Sequence, residues 1–279
     1  MIRNEMLKYS QKKMTEAELR RMQLIQIELL AEFDALCRKH ELSYIIASGT
    51  LLGAVRYGSF IPWDDDIDVE MLRSDYDKFC KIDKQEFRED TFFQTNKTDK
   101  HYPWLYGKLR RTGTQAVRLG QEHLKMHNGV FIDIFPRDGV PNLAVLRSVR
   151  GMLAAMSRKI LYARVAWRTS ETLFGTMGWG VVRLIPKQAA FGLAKLLSIA
   201  FNEKRCERVG CIGYHGKAEM NGFLKGWFTE LMTLSFEGKQ YYVPADWDGY
   251  LRYVYGDDYM TPPPPNHRNI TSPLSSYSL

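Results

Sequence analysis

The sequence predicts an α+β protein: a mixed sheet with flanking helices, a mostly helical basic insertion, and a C-terminal hairpin–helix segment. Three observations predict it. Short apolar runs punctuated by Gly, Pro, Ser and Thr alternate with amphipathic stretches through residues 15–140. Between Gly139 and Asn202 the only acidic residue is Glu171, against Arg147, Arg150, Arg158, Lys159, Arg164, Arg168, Arg183, Lys187 and Lys195. Leu231–Phe236 and Lys239–Val243 then flank Glu237-Gly238, the pattern of a hairpin. The expected divisions are a core over 1–140 and a basic helical region over 141–222. A hairpin and helix over 223–265 complete the core, and a Ser-rich tail over 266–279 is expected to be disordered.

In chain order, Thr15-Glu16-Ala17-Glu18 is a capping box opening a helix that carries Met22, Ile25, Leu29, Phe33 and Leu36 on one face to about Lys39. Tyr44–Ala47 is a short buried strand ended by Ser48-Gly49-Thr50, and Leu51–Arg56 is a short helix starting at that glycine turn. An acidic strand occupies about 66–71, and Ser74 is the expected cap of the following helix. Thr91–Thr95, Trp104–Leu109 and Val130–Phe135 are further strands. Met152, Leu153, Met156, Ile160, Leu161 and Val165 give the basic region an apolar helical face. Asp246 caps a helix through Tyr250, Leu251, Val254 and Tyr255 that ends at Gly256, and Pro262–Pro265 is stiff and extended.

A hydrophobic content of 45% with 25% charged residues is that of an ordinary globular chain. The net charge of +7 favours anionic partners without selecting one. Cys37, Cys80, Cys206 and Cys211 are scattered, which fits reduced thiols better than a disulfide scaffold. Cys206, Cys211 and His215 lack a fourth zinc ligand at standard spacing. His101, His123, His127 and His267 form no ligand spacing and are taken as structural or solvent-facing. The first residues, Met1–Glu5, show no apolar signal core, and no apolar run reaches the roughly 18–20 residues of a spanning helix. Cytoplasmic residence is expected, with the basic amphipathic helices as a candidate surface for peripheral contact with an anionic membrane.

The most informative segment is Trp63-Asp64-Asp65-Asp66-Ile67-Asp68-Val69-Glu70. In a strand, Asp66 and Asp68 project to one side while Ile67 and Val69 enter the core. Neighbouring carboxylates repel and lose solvation, and a hard divalent cation is the usual compensation. A solvated acidic turn is the plain alternative, and the Asp-apolar-Asp-apolar alternation argues against it. Just upstream, the Gly49-Thr50 turn opens a helix whose free backbone N–H groups suit a phosphate oxygen.

A glycine turn, a short helix and an Asp-apolar-Asp pair in this order resemble the nucleotidyltransferase fold, which implies a third carboxylate on a later strand. Asp133, between Ile132 and Ile134, is the best candidate. A closer resemblance is carried by Gly49-Thr50-Leu51-Leu52-Gly53-Ala54-Val55-Arg56, leading through Phe60-Ile61-Pro62-Trp63 into Asp64–Asp68. Phe131–Pro136 with Asp138-Gly139, and Tyr250-Leu251 with Tyr255–Met260 and Pro262-Pro263, extend it. These blocks are similar to those of the LicD family of phosphotransferases, related to fukutin-type transferases, across roughly residues 19–265. Tyr57 and Ser59 stand where members commonly carry His and Gly, and Ser48 where a second glycine is frequent. Tyr57 and Ser48 are expected on the wall of the nucleotide pocket.

The resemblance implies transfer of a phospho-alcohol unit from a CDP-alcohol donor to a hydroxyl of a cell-surface or lipid-linked glycan, with release of CMP. It implies magnesium or manganese on Asp66, Asp68 and Asp133, with Asp64 or Asp65 as base or orienting group. Gly49, Thr50, Arg56 and Lys108 are the candidates for donor phosphates, with Arg110 and Arg111 behind them. An aromatic cage for a quaternary ammonium would draw on Trp63, Trp104, Tyr106, Trp227 or Tyr259, none assigned. The alternatives are a nucleotidyltransferase using a nucleoside triphosphate, and a membrane-surface binding protein without catalysis. Nucleic acid is not an expected partner, because the basic residues lie in apolar helices without an aromatic-lined single-strand groove.

Overall fold

Strand β6 (Phe131–Val140) is the spine of the sheet, and every one of its residues is buried. The computed structural model describes residues 12, 14–264, 268 and 274–279, so Met1–Glu5, Pro265 and His267 lie outside the described residues. The first half of β6 runs parallel to β2 (Asp68–Leu72) and antiparallel to β4 (Gly107–Arg111), and β3 (Thr91–Gln94) pairs on the outer side of β4. β1 (Ile45–Ile46) pairs antiparallel to β2, giving the order β1-β2-β6-β4-β3. The α+β class expected from the sequence is the one observed, with parallel and antiparallel pairs in one sheet.

Helix α1 (Glu16–Lys39) opens with the expected capping box: the Thr15 hydroxyl accepts from Glu18 N, and the Glu18 carboxylate accepts from Thr15 N. Its apolar face places Leu29, Leu30 and Phe33 in the main core, where Phe33 meets Tyr44 and Phe79 at ring distances of 5.0 and 4.9 Å. Helix α2 (Ser48–Tyr57) begins three residues earlier than expected and ends at Gly58 in the left-handed region. Helix α3 (Arg73–Phe79) begins at Arg73, so Ser74 lies inside it and is not its cap. Leu72 leaves β2 directly into the helix, and Arg73 is fixed by a two-pronged bond to the buried Asp138 carboxylate at 2.7 and 2.9 Å.

β4 begins at Gly107, later than the Trp104 start expected from its apolar content. The sequence pattern missed β5 (Gln115–Arg118), a four-residue strand with one exposed end. Its partner is the last strand, β11 (Leu274–Ser278), where disorder was expected. Polar composition misled there: the segment is held by backbone pairing, while Leu274 packs with Met22, Ala116, Val130 and Phe131.

The basic region folds as α4 (Ala144–Thr169), α5 (Leu173–Val182) and α6 (Lys187–Ala200). It then returns to the sheet, since β7 (Arg208–Gly210) pairs with the second half of β6. After α7 (Lys217–Asn221), β8 (Phe223–Leu224) pairs with β7, so the expected boundary at residue 222 cuts through a strand pair. β9 (Leu231–Phe236) and β10 (Lys239–Pro244) form the expected hairpin, turning at Glu237 and Gly238 with φ of 51° and 78°. Helix α8 (Trp247–Tyr255) is capped by Asp246, whose carboxylate accepts from Gly249 N at 3.0 Å.

Candidate active site

The site is built on register. β2 and β6 align Asp68 with Asp133, so the two side chains leave one face of the sheet side by side. Asp66 lies in the loop just before β2, and carboxylate oxygens of Asp66, Asp68 and Asp133 fall within 4.8 Å of one another. Three main-chain contacts hold this geometry. Asp68 N donates to the Thr50 hydroxyl at 2.9 Å, Ala47 N to Asp68 O at 3.0 Å, and Asp133 N to Ile67 O at 2.9 Å.

The acidic loop is clasped from above by α1. Gln23 donates to Asp64 O at 2.9 Å, and the buried Gln26 donates to Asp65 O at 2.8 Å and Phe131 O at 3.2 Å. From below, Gly49 makes room for Asp64: a Cβ at Gly49 would stand 2.7 Å from Asp64 Oδ2. Ser48 precedes it at φ 48°, in the left-handed region that a glycine enters freely and a serine enters under strain. That is the physical reason a glycine suits this position.

A cleft of about 900 Å³ opens over the cluster, a size that suits a small-molecule ligand. Asp64, Asp66, Asp68 and Asp133 line it, with Ser48, Gly49, Arg56, Trp63, Arg118, Arg137 and the tyrosines 106, 214, 255 and 259. Thr261–Pro264 form part of the rim. Asp65 is absent from this wall. It is buried toward Gln26 and Arg118, with Oδ1 meeting no partner among the described residues. Geometry therefore separates the two carboxylates that the sequence left as alternatives, since Asp64 reaches the cleft and Asp65 supports it from behind.

Two cations answer the cluster. Arg118 Nη2 lies 3.2 Å from Asp66 Oδ2 and 3.6 Å from Asp133 Oδ2. Lys108, opposite Asp133 in the β4–β6 register, pairs with Asp133 Oδ1 and lies over the Phe131 ring. Lys108 is buried and does not line the cleft, which corrects its expected role: it pairs with Asp133 behind the cleft wall and does not grip a phosphate. Thr50 is corrected likewise, because its buried hydroxyl is engaged by Asp68 N. Arg56 does line the cleft. Its Nη2 donates to Thr261 O at 3.2 Å, while Nε is buried without a partner among the described residues. Arg110 and Arg111 are buried in structural contacts, Arg110 with Gln94 and Gly129 O, Arg111 with Glu28 and Asp90. Tyr57 lies outside the cleft wall.

The charges remain under-compensated. Burial, reinforced by Asp66 and Asp65, pushes Asp64 up to about 8. Burial and Asp66 push Asp65 to about 7. Asp66 is raised by burial, and Asp68 is held well above the usual carboxylate range by burial together with Asp66 and Asp133. Burial drives Lys108 well below the usual amine range. Three carboxylates whose oxygens converge within 4.8 Å are the donor set of a hard divalent cation, and the residues present fit one. Among the described residues the only groups so placed are Asp66–Asp68–Asp133 and Asp64–Asp65–Asp66; Cys206, Cys211 and His215 make no such group.

Sequence reasoning missed Arg118, Arg137, Gln23 and Gln26. The two glutamines had a signal, being polar residues on the buried apolar stripe of α1. Arg118 had little, since it ends a short strand bracketed by Gly113 and Gly120.

Residues 41–146 match the family model described as LicD/FKTN/FKRP, nucleotidyltransferase domain. The chain is 29% identical over 268 residues to the Haemophilus influenzae lipopolysaccharide cholinephosphotransferase LicD, covering 90% of this chain and 94% of that protein. Shorter matches reach uncharacterised proteins of Rickettsia typhi, 42% identical over 55 residues, and Rickettsia prowazekii, 44% identical over 48 residues. They cover 20% and 17% of this chain and 18% of each relative. The matched domain contains the acidic loop, β2 and Asp133, so residues 41–146 carry a LicD-type nucleotidyltransferase domain, and the chain is similar to a LicD protein along nearly its whole length.

Proposed function

We propose that this protein moves a phospho-alcohol unit from a CDP-activated donor to a hydroxyl of a cell-surface glycan, releasing CMP. Likeness to a cholinephosphotransferase along nearly the whole chain supports a transferase. The observation that carries the finer reading is the convergence of Asp66, Asp68 and Asp133 beside Arg118 on the wall of a nucleotide-sized cleft. Likeness to a lipopolysaccharide cholinephosphotransferase supports phosphocholine ahead of a polyol phosphate, and lipopolysaccharide ahead of capsule or teichoic acid. The free thiols of all four cysteines support a cytoplasmic setting.

Magnesium or manganese on Asp66, Asp68 and Asp133 would supply Lewis-acid stabilisation of the phosphoryl oxygens. Arg118 adds a fixed guanidinium where negative charge grows, and Arg56 holds the donor phosphates. Helix α2 starts on the cleft wall, so its N-terminal dipole faces the same anion. Asp64 accepts the acceptor hydroxyl's proton as the new O–P bond forms. The P–O bond to CMP breaks, and CMP leaves with the electron pair.

The deciding assay incubates the protein and magnesium with CDP-choline, CDP-glycerol or CDP-ribitol and a lipopolysaccharide acceptor, following CMP with the hydrolysis background subtracted. CMP should appear with choline transferred. Asp66→Asn, Asp68→Asn and Asp133→Asn should each lose about 1,000-fold or more while remaining folded. Full activity in any one removes that residue from the essential set. Pyrophosphate release from CTP would favour the nucleotidyltransferase reading, and no turnover with any donor would favour a binding protein.

A further inference from the structure

Helix α5, LFGTMGWGVV, buries none of its residues although most of them are apolar. Leu173, Phe174, Met177 and Val181 are 72%, 89%, 62% and 67% exposed. At the helical advance of about 100° per residue these four lie within an arc of about 100°, so they form one continuous apolar face. Leu184, just beyond the helix, extends it at 79% exposure. The inner side is anchored: Trp179 meets Tyr162 of α4 at 5.9 Å, and Tyr162 meets Trp104 ahead of β4 at 6.5 Å. The outer face meets no protein among the described residues, and a soluble surface rarely leaves such a contiguous patch uncovered.

The charges beside the patch identify its occupant. The guanidinium groups of Arg183 and Arg168 lie 4.1 and 4.9 Å from the Trp167 ring, a cationic and aromatic collar of the kind that sits at lipid headgroup level. Glu171 is the only acid between Gly139 and Asn202. We propose that α5 docks the protein on an anionic lipid bilayer, with its apolar face at the acyl boundary and Arg168 and Arg183 among the headgroups. Among the described residues no single helix is long and apolar enough to cross a membrane; Leu173–Val182 and Lys187–Arg205 reach that length and apolarity only together, as a pair bent by 70°. At ten residues, α5 is about 15 Å long, half the hydrocarbon thickness, so it lies on the surface.

Of the six basic residues in 147–168, expected from the sequence to make this contact, three are committed elsewhere and Arg168 joins the collar. Arg150 donates to Gly210 O at 2.9 Å, Arg158 to Ile212 O at 2.8 Å and Arg164 to Ile160 O at 2.8 Å and Ile185 O at 3.1 Å. Arg150 and Arg158 tie α4 to the segment around β7, Arg164 ties it to the α5–α6 connection, and the docking element is the helix that follows. The inference is independent of the transfer chemistry.

The test is co-sedimentation of the full chain with phosphatidylglycerol–phosphatidylcholine vesicles and with phosphatidylcholine vesicles. The wild type should partition to the anionic ones, and Phe174→Asp with Val181→Asp should weaken that partition by about tenfold or more at an unchanged thermal midpoint. Arg168→Gln with Arg183→Gln should weaken binding to anionic vesicles alone. Unchanged sedimentation of the Asp variant would overturn the proposal. So would a wild type that ignores both vesicles but forms a dimer that the Asp variant dissolves, because the patch would then join two copies of this chain.

Discussion

Strands β2 and β6 carry two groups of buried charge, and they are finished differently. At one level stand Asp68 and Asp133, with Asp66, Asp64 and Asp65 close by, answered by Lys108 and Arg118. Two and four residues further on, Glu70 and Arg137 project from the same faces and meet Glu219. There the donors are complete. Arg137 grips Glu70 with Nε and Nη2, Glu219 accepts from Arg137 Nη1 at 2.6 Å and from Cys211 N at 2.7 Å, and Tyr250 stands 3.4 Å from Glu70. Burial raises Glu70 here too, but Arg137 works against that rise, and Glu219 and Glu70 hold Arg137 well above its ordinary value despite its burial. At the other level burial raises Asp66 and Asp68, no arginine among the described residues grips Asp68, and its carboxylate neighbours push it further up. One cluster is closed by protein groups and the other is left for a ligand to close, which is how a structural network differs from a site.

The sharpest way to break this comparison is to delete one charge from each group and measure unfolding in urea. Arg137→Met leaves Glu70 and Glu219 buried without their cation and should cost about 3–5 kcal/mol. Asp68→Asn removes a repelling charge and should leave stability unchanged or raise it by about 1 kcal/mol. Equal losses in the two variants would make the acidic cluster an ordinary structural network.

A smaller effect sharpens the same point. Manganese or magnesium at about 100 times its dissociation constant should stabilise the wild type by about 2.7 kcal/mol, seen as a raised thermal midpoint reversed by chelation. Asp68→Asn should lose that shift, and Glu219→Gln should retain it. A cation-induced shift that persists in Asp68→Asn would place the ion elsewhere.

The smallest effect concerns a carboxylate that is paired but belongs to neither group. The two-pronged bond from Arg20, at 2.8 Å for each contact, holds Glu237 below the usual carboxylate range. A depressed value adds stability above the unfolded group's pKa, and that stability is lost as pH falls through the folded value. Acid titration from pH 5 to 3 should show a loss below about 1 kcal/mol that disappears in Arg20→Gln. An acid limb unchanged by that variant would remove the pair from the stability of the hairpin.

Much of the site was legible because its chemistry is local. Asp66-Ile67-Asp68 and Ile132-Asp133-Ile134 announce buried carboxylates within three residues each, and Gly49 marks a close approach. Lys108 was misread because its role depends on the β4–β6 register, which pairs it with Asp133 across the sheet. Arg118 reaches the cluster only once β5 is in place, and β5 is paired by a tail whose composition suggests disorder. Periodicity identified α4 as amphipathic, but three of its arginines turn to main-chain carbonyls, a choice no local pattern encodes.

Gln23 and Gln26 hold the acidic loop by its carbonyls, and both are neutral amides. Their grip does not weaken when a carboxylate takes up a proton, when a cation arrives or when it departs. Ionic strength does not loosen it either. Shape and charge in this site are thus set by separate parts: uncharged amides fix where the oxygens stand, and the oxygens remain free to change their charge as ligands come and go.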